Sequence, residues 1–340
     1  MKKIVKPFCS IIVLNYFGRK VLPATLNALV NLDYPKTKYE IVIVDNNSKD
    51  LSRRIIRDFA AKHKNIHPIF LRQNLGFSRG NNVGIKQAKG KYVVLLNNDC
   101  IVEKNWLTAL VETAQKDKKI FAVNSKIILR QTKKIQNAGI MVFQDGYGRD
   151  IGAVVRYQSQ DYEEDTGQYD KEKDIYAACG AAVLYRKSIL EKIGYLDKEF
   201  FMYYEDVEIA ERARFHGYKI FYCPKAIVYH FHAYSSKEWS LLFIYNAEKG
   251  RLLHLFYHFP ISIFVSEYGK FFFQAFLRFF KEIFLIKKMA KNTQYFKICF
   301  YFLFRFPILA INRIKKHQHI EKNAINTNYQ KILRGDWYLN

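Results

Sequence analysis

Acids and histidines that could do chemistry stand in three stretches of this sequence. The first is VVLLNNDCIV, residues 93–102, an apolar run that stops at Asn97, Asn98 and Asp99. A strand-end carboxylate beside amides suits a hard cation on a diphosphate. Mg²⁺ and Mn²⁺ take oxygen ligands and often use one or two carboxylates plus substrate phosphates. The same residues also suit a plain turn, or a cap for a helix near Lys104. The second stretch is FFMYYEDVEIAERARFHG, where Glu205 and Asp206 follow a wall of aromatics. A carboxylate against an apolar wall can act as a general base, and a helix N-terminus favours its charged form. The structural readings are Asp206 as a helix cap and Glu208 as the solvated member of an i,i+4 pair with Arg212. The third is IVYHFHA. His230 and His232 lie two apart and share one face of a strand. Alone they are a weak metal pair, but Asp99 could complete a mixed His/carboxylate site.

Such residues need a frame. The first half of the chain alternates apolar strands (CSIIVLNY, IVIVDNN, IHPIFL, KYVVLLNND) with helical stripes over residues 22–29, 50–63, 78–89 and 104–116. Continuous apolar strands separated by helices predict a mostly parallel sheet covered on both faces. Ligands of such sheets bind at the carboxyl ends of the strands, where Asn15, Asp45 and Asp99 fall. Gly76, Gly80 and Gly84 recur every four residues, which matches neither a dinucleotide fingerprint nor a P-loop. The segment opens a helix, so its amides and Arg79 could meet a phosphate. Residues 131–175, acidic around QDYEEDTGQYD, read as a hairpin or loop excursion over the sheet. Gly217 closes a helix that begins near Asp206.

Composition bounds the partners. The chain has 340 residues, and 55 Lys+Arg against 31 Asp+Glu give a net charge of +24. That excess calls for an anionic partner: nucleic acid, phosphorylated ligand or membrane surface. Five scattered cysteines without a C-x-x-C pair read as reduced, buried thiols of a cytosolic protein. The N-terminus, interrupted by Lys6 and Pro7, reads as a first strand and not as a signal peptide. Beyond residue 255 aromatics and lysines dominate, and Glu282 is the only acid between Tyr268 and Ile320.

Five segments in order, SIIVLNYFGRKVLPATLNAL, YEIVIVDNNSKDLS, NLGFSRGNNVGIKQAKGKYVVLLNNDCIV, ACGAAVLYRKSIL and IGYLDKEFFMYYEDVEIAERARFHGYKIFYCPKAIVYHFH, resemble the family-2 glycosyltransferases. The nearest subset is similar to bacterial rhamnosyltransferase-like enzymes of polysaccharide assembly. The match is colinear over about residues 8–250. The resemblance implies a GT-A fold, a Rossmann-like sheet flanked by helices, acting as an inverting glycosyltransferase. It implies a Mg²⁺ or Mn²⁺ ion held by Asp99 and His230, a dTDP- or UDP-linked sugar donor, and a glycan or lipid-linked acceptor. Asn97, where the family has the first acid of a D-x-D-type motif, and Asp99 would meet the donor diphosphate. Asp45 would contact the base and ribose, with Asn15, Arg79 and Asn82 lining the nucleotide pocket. Asp206 would be the base and Glu205 its neighbour, with Cys179 and Gly180 facing the acceptor. Phe17 replaces a polar Asn of the family, with local repacking expected.

Two domains follow: a catalytic domain over residues 1–250 and a basic, aromatic-rich helical extension over 251–340. The extension's charges and Pro307 interrupt every apolar run short of the roughly 20 residues that span a bilayer. It reads as amphipathic helices lying on an anionic membrane surface, peripheral on the cytoplasmic face of the inner membrane. The alternatives are a nucleotidyltransferase acting on sugar phosphates, for which LNYFGRK lacks a Gly-rich signature, and an inactive membrane- or nucleic-acid-binding protein. No nucleic-acid motif is present, so nucleic acid is not expected as a partner.

Overall fold

The computed structural model describes residues 6–156, 159–231, 240–282, 286–318, 320 and 323–336. His232 lies outside the described residues. The chain forms two compact units. The first comprises Met1–Met141, Arg149–Phe201 and Glu205–Ser235, and the second Val142–Gly148, Met202–Tyr204 and Ser236–Asn340.

The first unit opens with β1 (Cys9–Asn15), α1 (Leu22–Val30), β2 (Tyr39–Asp45), α2 (Ser52–Lys62), β3 (Ile66–Phe70), α3 (Gly76–Gln87) and β4 (Tyr92–Asn97). It continues through β5 (Cys100–Val102), α4 (Trp106–Gln115), β6 (Ile120–Leu129) and β7 (Lys134–Asn137). A small hairpin, β8 (Ile140–Val142) and β9 (Gly148–Asp150), precedes β10 (Ala153–Arg156), β11 (Ser159–Glu164) and β12 (Lys173–Asp174). Then come β13 (Ala182–Arg186), α5 (Lys187–Ile193), α6 (Glu205–Phe215) and β14 (Lys219–His230).

One sheet runs in the order β10-β11-β7-β6-β13-β4-β1-β2-β3, and β14 pairs with β5, β6 and β12 off that path. Strands β4, β1, β2 and β3 are parallel, as their uninterrupted apolar character predicts. Every residue of β2 is buried. The parallel register levels the strand ends: Asn15 stands beside Asp45, and Leu14 beside Asn97. The four-residue glycine spacing of α3 serves close packing. A Cβ at Gly84 would lie 2.5 Å from Ile12 Cγ2, and one at Gly80 2.7 Å from Leu14 Cδ1.

Two expectations are corrected here. Residues 131–175 are not an excursion over the sheet, because β7, β11 and β10 extend the sheet itself at one edge. The acids of this segment bind lysines. Lys126, almost fully buried, holds Asp165 and Asp170, and Lys134 holds Asp161. Glu208 is not solvated either. It is fully buried and takes a two-pronged hydrogen bond from Arg212, 2.8 Å on each arm. The same guanidinium donates to the carbonyls of Ile193, Gly194 and Tyr195. The pair thereby fastens the loop that leads to the aromatics before Glu205. All five cysteines are free, and four are buried. Burial pushes the Cys9 thiol up to about 12 and Cys299 to about 11, and raises Cys100, Cys179 and Cys223 as well.

The second unit contains α7 (Leu241–His258), α8 (Ile261–Glu282), α9 (Ile286–His317) and α10 (Ala324–Arg334). Helix α9 continues through Pro307, so the charges and proline expected to break its apolar run do not break the helix. Its stretch Ala290–His317 is long and apolar enough to cross a membrane by length and composition, and 22% of its most apolar window is buried.

Replacing Arg212 with Met should leave Glu208 as an uncompensated buried charge. Loss of one partner of a buried pair typically costs about 3–5 kcal/mol. Chemical denaturation should therefore give a clearly lower midpoint for Arg212→Met, and a Glu208→Gln/Arg212→Met double variant should recover part of the loss.

Candidate active site

Asn15, at the end of β1, organises the strand ends. Its amide donates to Asp45 Oδ1 (3.0 Å) and Ser48 Oγ (3.1 Å), and its Oδ1 accepts from Asn98 Nδ2 (2.8 Å). Asp45 Oδ2 accepts from Arg53 Nε at 2.7 Å and from the Ser48 amide at 3.1 Å. Asn98 in turn offers its carbonyl to Thr25 Oγ1 (2.8 Å). Sequence reasoning assigned Asn98 nothing beyond the turn. It is the buried link between the β1 end and the Asn97–Asp99 corner. Phe17 adopts φ +52, in the left-handed region that Asn tolerates and bulky residues rarely occupy. The residue is therefore held in a constrained turn, with its amide donating to Ser48 Oγ (3.0 Å).

The corner turns directly into β5. Three residues of β5 pair antiparallel with the end of β14, setting His230 opposite Cys100, and the Phe231 amide donates to the Asp99 carbonyl (3.1 Å). This pairing joins residues 131 positions apart. Asp99 Oδ1 and His230 Nε2 lie 3.0 Å from each other, and His230 Nδ1 lies 2.7 Å from Gln136 Oε1. All three side chains are buried. Gln136 Oε1 accepts from Nδ1–H, which leaves Nε2 to meet the Asp99 carboxylate, either as a donor to it or beside it as a ligand to a cation. An imidazole fixed through its other nitrogen is the usual arrangement of a histidine ligand. Cys100 Sγ is near, but burial keeps it a thiol. The donor set is one carboxylate and one imidazole, which fits Mn²⁺ or Mg²⁺ better than a thiolate-seeking metal. Gln136 lies in the segment read as a hairpin or loop excursion, where nothing local singles it out.

Glu205 and Asp206 open α6. The Gly180 amide donates to Asp206 Oδ2 (3.1 Å) and the Val207 amide to Oδ1 (2.9 Å). Glu205 is buried, and its Oε2 has no hydrogen-bond partner among the described residues. Burial, and then the neighbouring Asp206, push Glu205 well above the usual carboxylate range. Burial also raises Asp206, opposed by the Gly180 and Val207 amides. The Gly180 and Val207 amides favour the charged form of Asp206. The loop before β13 joins the two regions. Gly180 holds Asp206, and the carbonyl of the next residue, Ala181, accepts from the Asn97 amide (2.9 Å). Cys179 is fixed by Asn124 Oδ1 on its amide (2.7 Å), and Asn124 by Asn137 on β7.

Arg79 and Asn82 face a different loop. Asn82 clamps the backbone of Leu196 through both ends of its amide, and Arg79 Nε donates to the Lys198 carbonyl (3.3 Å). Hydrogen bonds and chain adjacency thus link Asn15, Asp45, Asn97, Asp99, His230, Cys179, Gly180 and Asp206, with Glu205 next to Asp206 in the chain. Arg79 and Asn82 contact the loop before the aromatic wall.

The family model described as "Glycosyl transferase family 2" matches residues 10–194, more than half of the chain. The chain belongs to that family. Its catalytic unit has the GT-A fold. Among curated relatives, the glycosyltransferase AglE of Haloferax volcanii is 34% identical over 107 residues, 32% of this chain and 35% of that protein. A poly-beta-1,6-N-acetyl-D-glucosamine synthase of Staphylococcus epidermidis is 28% identical over 218 residues, 64% of this chain and 48% of the synthase. The low-salt glycan biosynthesis hexosyltransferase Agl10 of H. volcanii is 26% identical, covering 63% of this chain and 64% of that one. The chain therefore spans between about a third and two thirds of the length of these relatives. Among solved structures, GalNAc-T7 with UDP, GalNAc and Mn²⁺ superposes with a TM-score of 0.61 at 16% identity, over 80% of this chain and 51% of that one. The mannosyltransferase PcManGT of Pyrobaculum calidifontis, with GDP-Man and Mn²⁺, gives 0.53 at 16% identity over 97% and 86%. S. aureus TarS 1–349 with UDP gives 0.52 at 20% identity over 73% and 65%.

Gln136→Leu should weaken the binding of Mn²⁺ without unfolding the family-2 domain. Loss of a residue that orients a metal-binding histidine typically costs about 10–100-fold in affinity. Calorimetric titration of the variant and the parent with Mn²⁺ in the presence of UDP checks this, and circular dichroism checks the fold.

Proposed function

We propose that this family-2 glycosyltransferase is an inverting enzyme that moves a sugar from a nucleoside-diphosphate donor to an acceptor hydroxyl, with Asp206 as the base. The observation that carries the reading is the loop 180–181. Consecutive residues bind the Asp206 carboxylate and the Asn97 backbone, so the base and the strand end expected at the donor diphosphate share one short support. Further support comes from GalNAc-T7, TarS and PcManGT, which share the fold and hold UDP or GDP-Man.

Each residue has a part. Asp45, fixed by Asn15, Ser48 and Arg53, presents a rigid negative edge to the donor base and ribose. Asn97, whose side chain has no hydrogen-bond partner among the described residues, is available to the diphosphate. Asp99 and His230 would hold a divalent cation, which offsets the charge building on the leaving group. Arg79 and Asn82 shape the pocket through the loop they clamp. Asp206 takes the proton of the acceptor hydroxyl onto a carboxylate oxygen. The acceptor oxygen bonds to the anomeric carbon from the opposite face as the carbon–oxygen bond to the diphosphate breaks. One displacement inverts the centre, and no carboxylate nucleophile is required. A base with a raised pKa binds the transferred proton more tightly and works closer to neutral pH. Cys179 and Gly180 border the acceptor side. A cell-surface glycan, lipid-linked while it grows, is the acceptor class we infer, since two relatives are named for glycan synthesis.

The helical extension supports a membrane partner. Phe273, Phe276 and Phe280 recur along one face of α8, and Phe300, Leu303, Phe304, Ile308 and Ile311 along α9, all exposed. Residues 261–318 carry eleven Lys and Arg against two acids. Apolar stripes bordered by cations suit an anionic bilayer surface, with each lysine near it worth about 1 kcal/mol. We place the enzyme on the cytoplasmic face of the inner membrane, lying on it.

A panel of UDP-, dTDP- and GDP-sugars, with Mn²⁺ and with Mg²⁺, tests the reaction. One donor should be consumed with release of its nucleoside diphosphate, and release of pyrophosphate instead would mark a nucleotidyltransferase. With that donor, Asp206→Asn should lose about 10²–10⁴-fold in transfer rate, the usual range for a general base. Glu205→Gln mimics the protonated neighbour and should stay within about tenfold. The parent's rate should fall on acidification through an ionisation above the ordinary 3.8 of aspartate, because protonation removes the base. Wild-type transfer by Asp206→Asn would overturn the assignment.

The full chain should float with phosphatidylserine vesicles and come off in high salt. Phe273→Glu/Phe280→Glu should float poorly while keeping its fold. Resistance to carbonate extraction would instead mean that α9 crosses the bilayer.

A further inference from the structure

The catalytic helix α6 begins directly after two residues with an uncommon backbone. Tyr203 and Tyr204 have φ +68 and +70. Bulky residues avoid this region, and each such residue costs about 1–3 kcal/mol unless its surroundings impose it. The surroundings lie in the second unit, to which Met202–Tyr204 belong. Gly250 sits in the middle of α7, where glycine costs about 1 kcal/mol relative to alanine. Its reason for being there is close approach. A Cβ on Gly250 would stand 2.9 Å from Tyr204 Cβ, 3.1 Å from the Tyr203 carbonyl oxygen and 3.1 Å from Tyr204 Cδ2. Two of these three are backbone or the root of a side chain, which cannot swing aside.

Other contacts within this unit hold the same two tyrosines. The Tyr203 ring meets Phe243 edge to face at 5.0 Å. The Tyr204 hydroxyl accepts from the Gly148 amide (3.1 Å). The turn that carries Gly148 is itself fixed by α7. Arg251 donates to the Asp145 carbonyl (2.9 Å) and covers the Tyr147 ring (4.3 Å), and the Tyr147 hydroxyl donates to Glu248 (2.9 Å). Tyr204 is thus gripped between Gly250 and Gly148. One peptide bond later comes Glu205, and then Asp206.

We propose that Gly250 is a positioning residue for sugar transfer. The bare backbone of α7 at Gly250 fixes the left-handed Tyr203–Tyr204 pair, and that pair sets the backbone conformation from which the chain enters Glu205 and Asp206. The inference rests on Asp206 being the base.

The test is Gly250→Ala in the full chain, with Tyr204→Phe as a milder second variant that keeps the ring and loses the Gly148 bond. Displacement of about 1 Å from a remote change can cost about 10²-fold in rate. Gly250→Ala should therefore lose 10- to 100-fold in kcat, with KM for the donor found in the panel and affinity for its nucleoside diphosphate with Mn²⁺ unchanged. Tyr204→Phe should lose a few-fold in kcat alone. The melting temperature of Gly250→Ala should fall by only a few degrees, because alanine's helix preference of about 1 kcal/mol offsets part of the crowding. A wild-type kcat in Gly250→Ala beside an inactive Asp206→Asn overturns the positioning role and leaves the base in place. Equal losses in kcat, diphosphate affinity and melting temperature would reduce Gly250 to ordinary packing and overturn the role too. Wild-type transfer by Asp206→Asn removes the group that is being positioned, and both readings fall.

Discussion

Three residues of strand pairing hold the candidate active site together. Cys100–Val102 has almost no length with which to earn a place in the sheet, yet its antiparallel match to the end of β14 sets Asp99 against His230. Neither side chain could reach the other from a loop without a large loss of chain entropy. The pairing works because both flanks are rigid: β14 runs along β6 for most of its length, and the corner before β5 is anchored to β1 through Asn98 and Asn15. The position of the acid is thus inherited from the parallel sheet and that of the histidine from its antiparallel margin.

The polar groups at this end of the sheet form a chain of mutual dependence. Asn15 binds Asp45, Ser48 and Asn98. On the other side Asn137 holds Asn124, which holds Cys179, beside the Gly180 amide that holds Asp206. Buried networks of this kind are worth keeping only when each member is satisfied. Glu205 is the exception, a buried acid with one oxygen lacking a partner among the described residues. Such exceptions gather where a fold gives up stability for chemistry, and the neighbour of a proposed base is where a protonated, neutral acid is useful.

Much of this was legible in the sequence. Uninterrupted apolar strands announced the parallel sheet and its level ends at Asn15 and Asp45, and five ordered motifs pointed to the family. What escaped notice depended on distant partners. Gln136 is the third residue of a four-residue strand, and nothing local marks it as the contact of His230. Glu208 looked solvated because its i,i+4 arginine also suits a surface helix, and only the carbonyls of Ile193, Gly194 and Tyr195 draw that arginine inward. The acids of 161–170 looked like a loop because their lysine partners, Lys126 and Lys134, lie elsewhere in the chain. The glycines of α3 offered two physical reasons for one spacing, phosphate contact or helix–sheet contact, and Ile12 and Leu14 are visible as neighbours only in three dimensions. Pro307 reads as a break in sequence, but an exposed helix can carry a proline where the freed carbonyl has other recourse.

The state of the thiols has a consequence for how the molecule meets oxidants. Nucleophilic attack on peroxide or a disulfide needs thiolate, and burial holds all five sulfurs in the protonated form at neutral pH. Glutathionylation and disulfide exchange therefore meet four buried thiols and one partly exposed thiol, Cys179, whose acidity is weakened in the same direction. Of the five, Cys179 is where an oxidant would first find a sulfur it can reach.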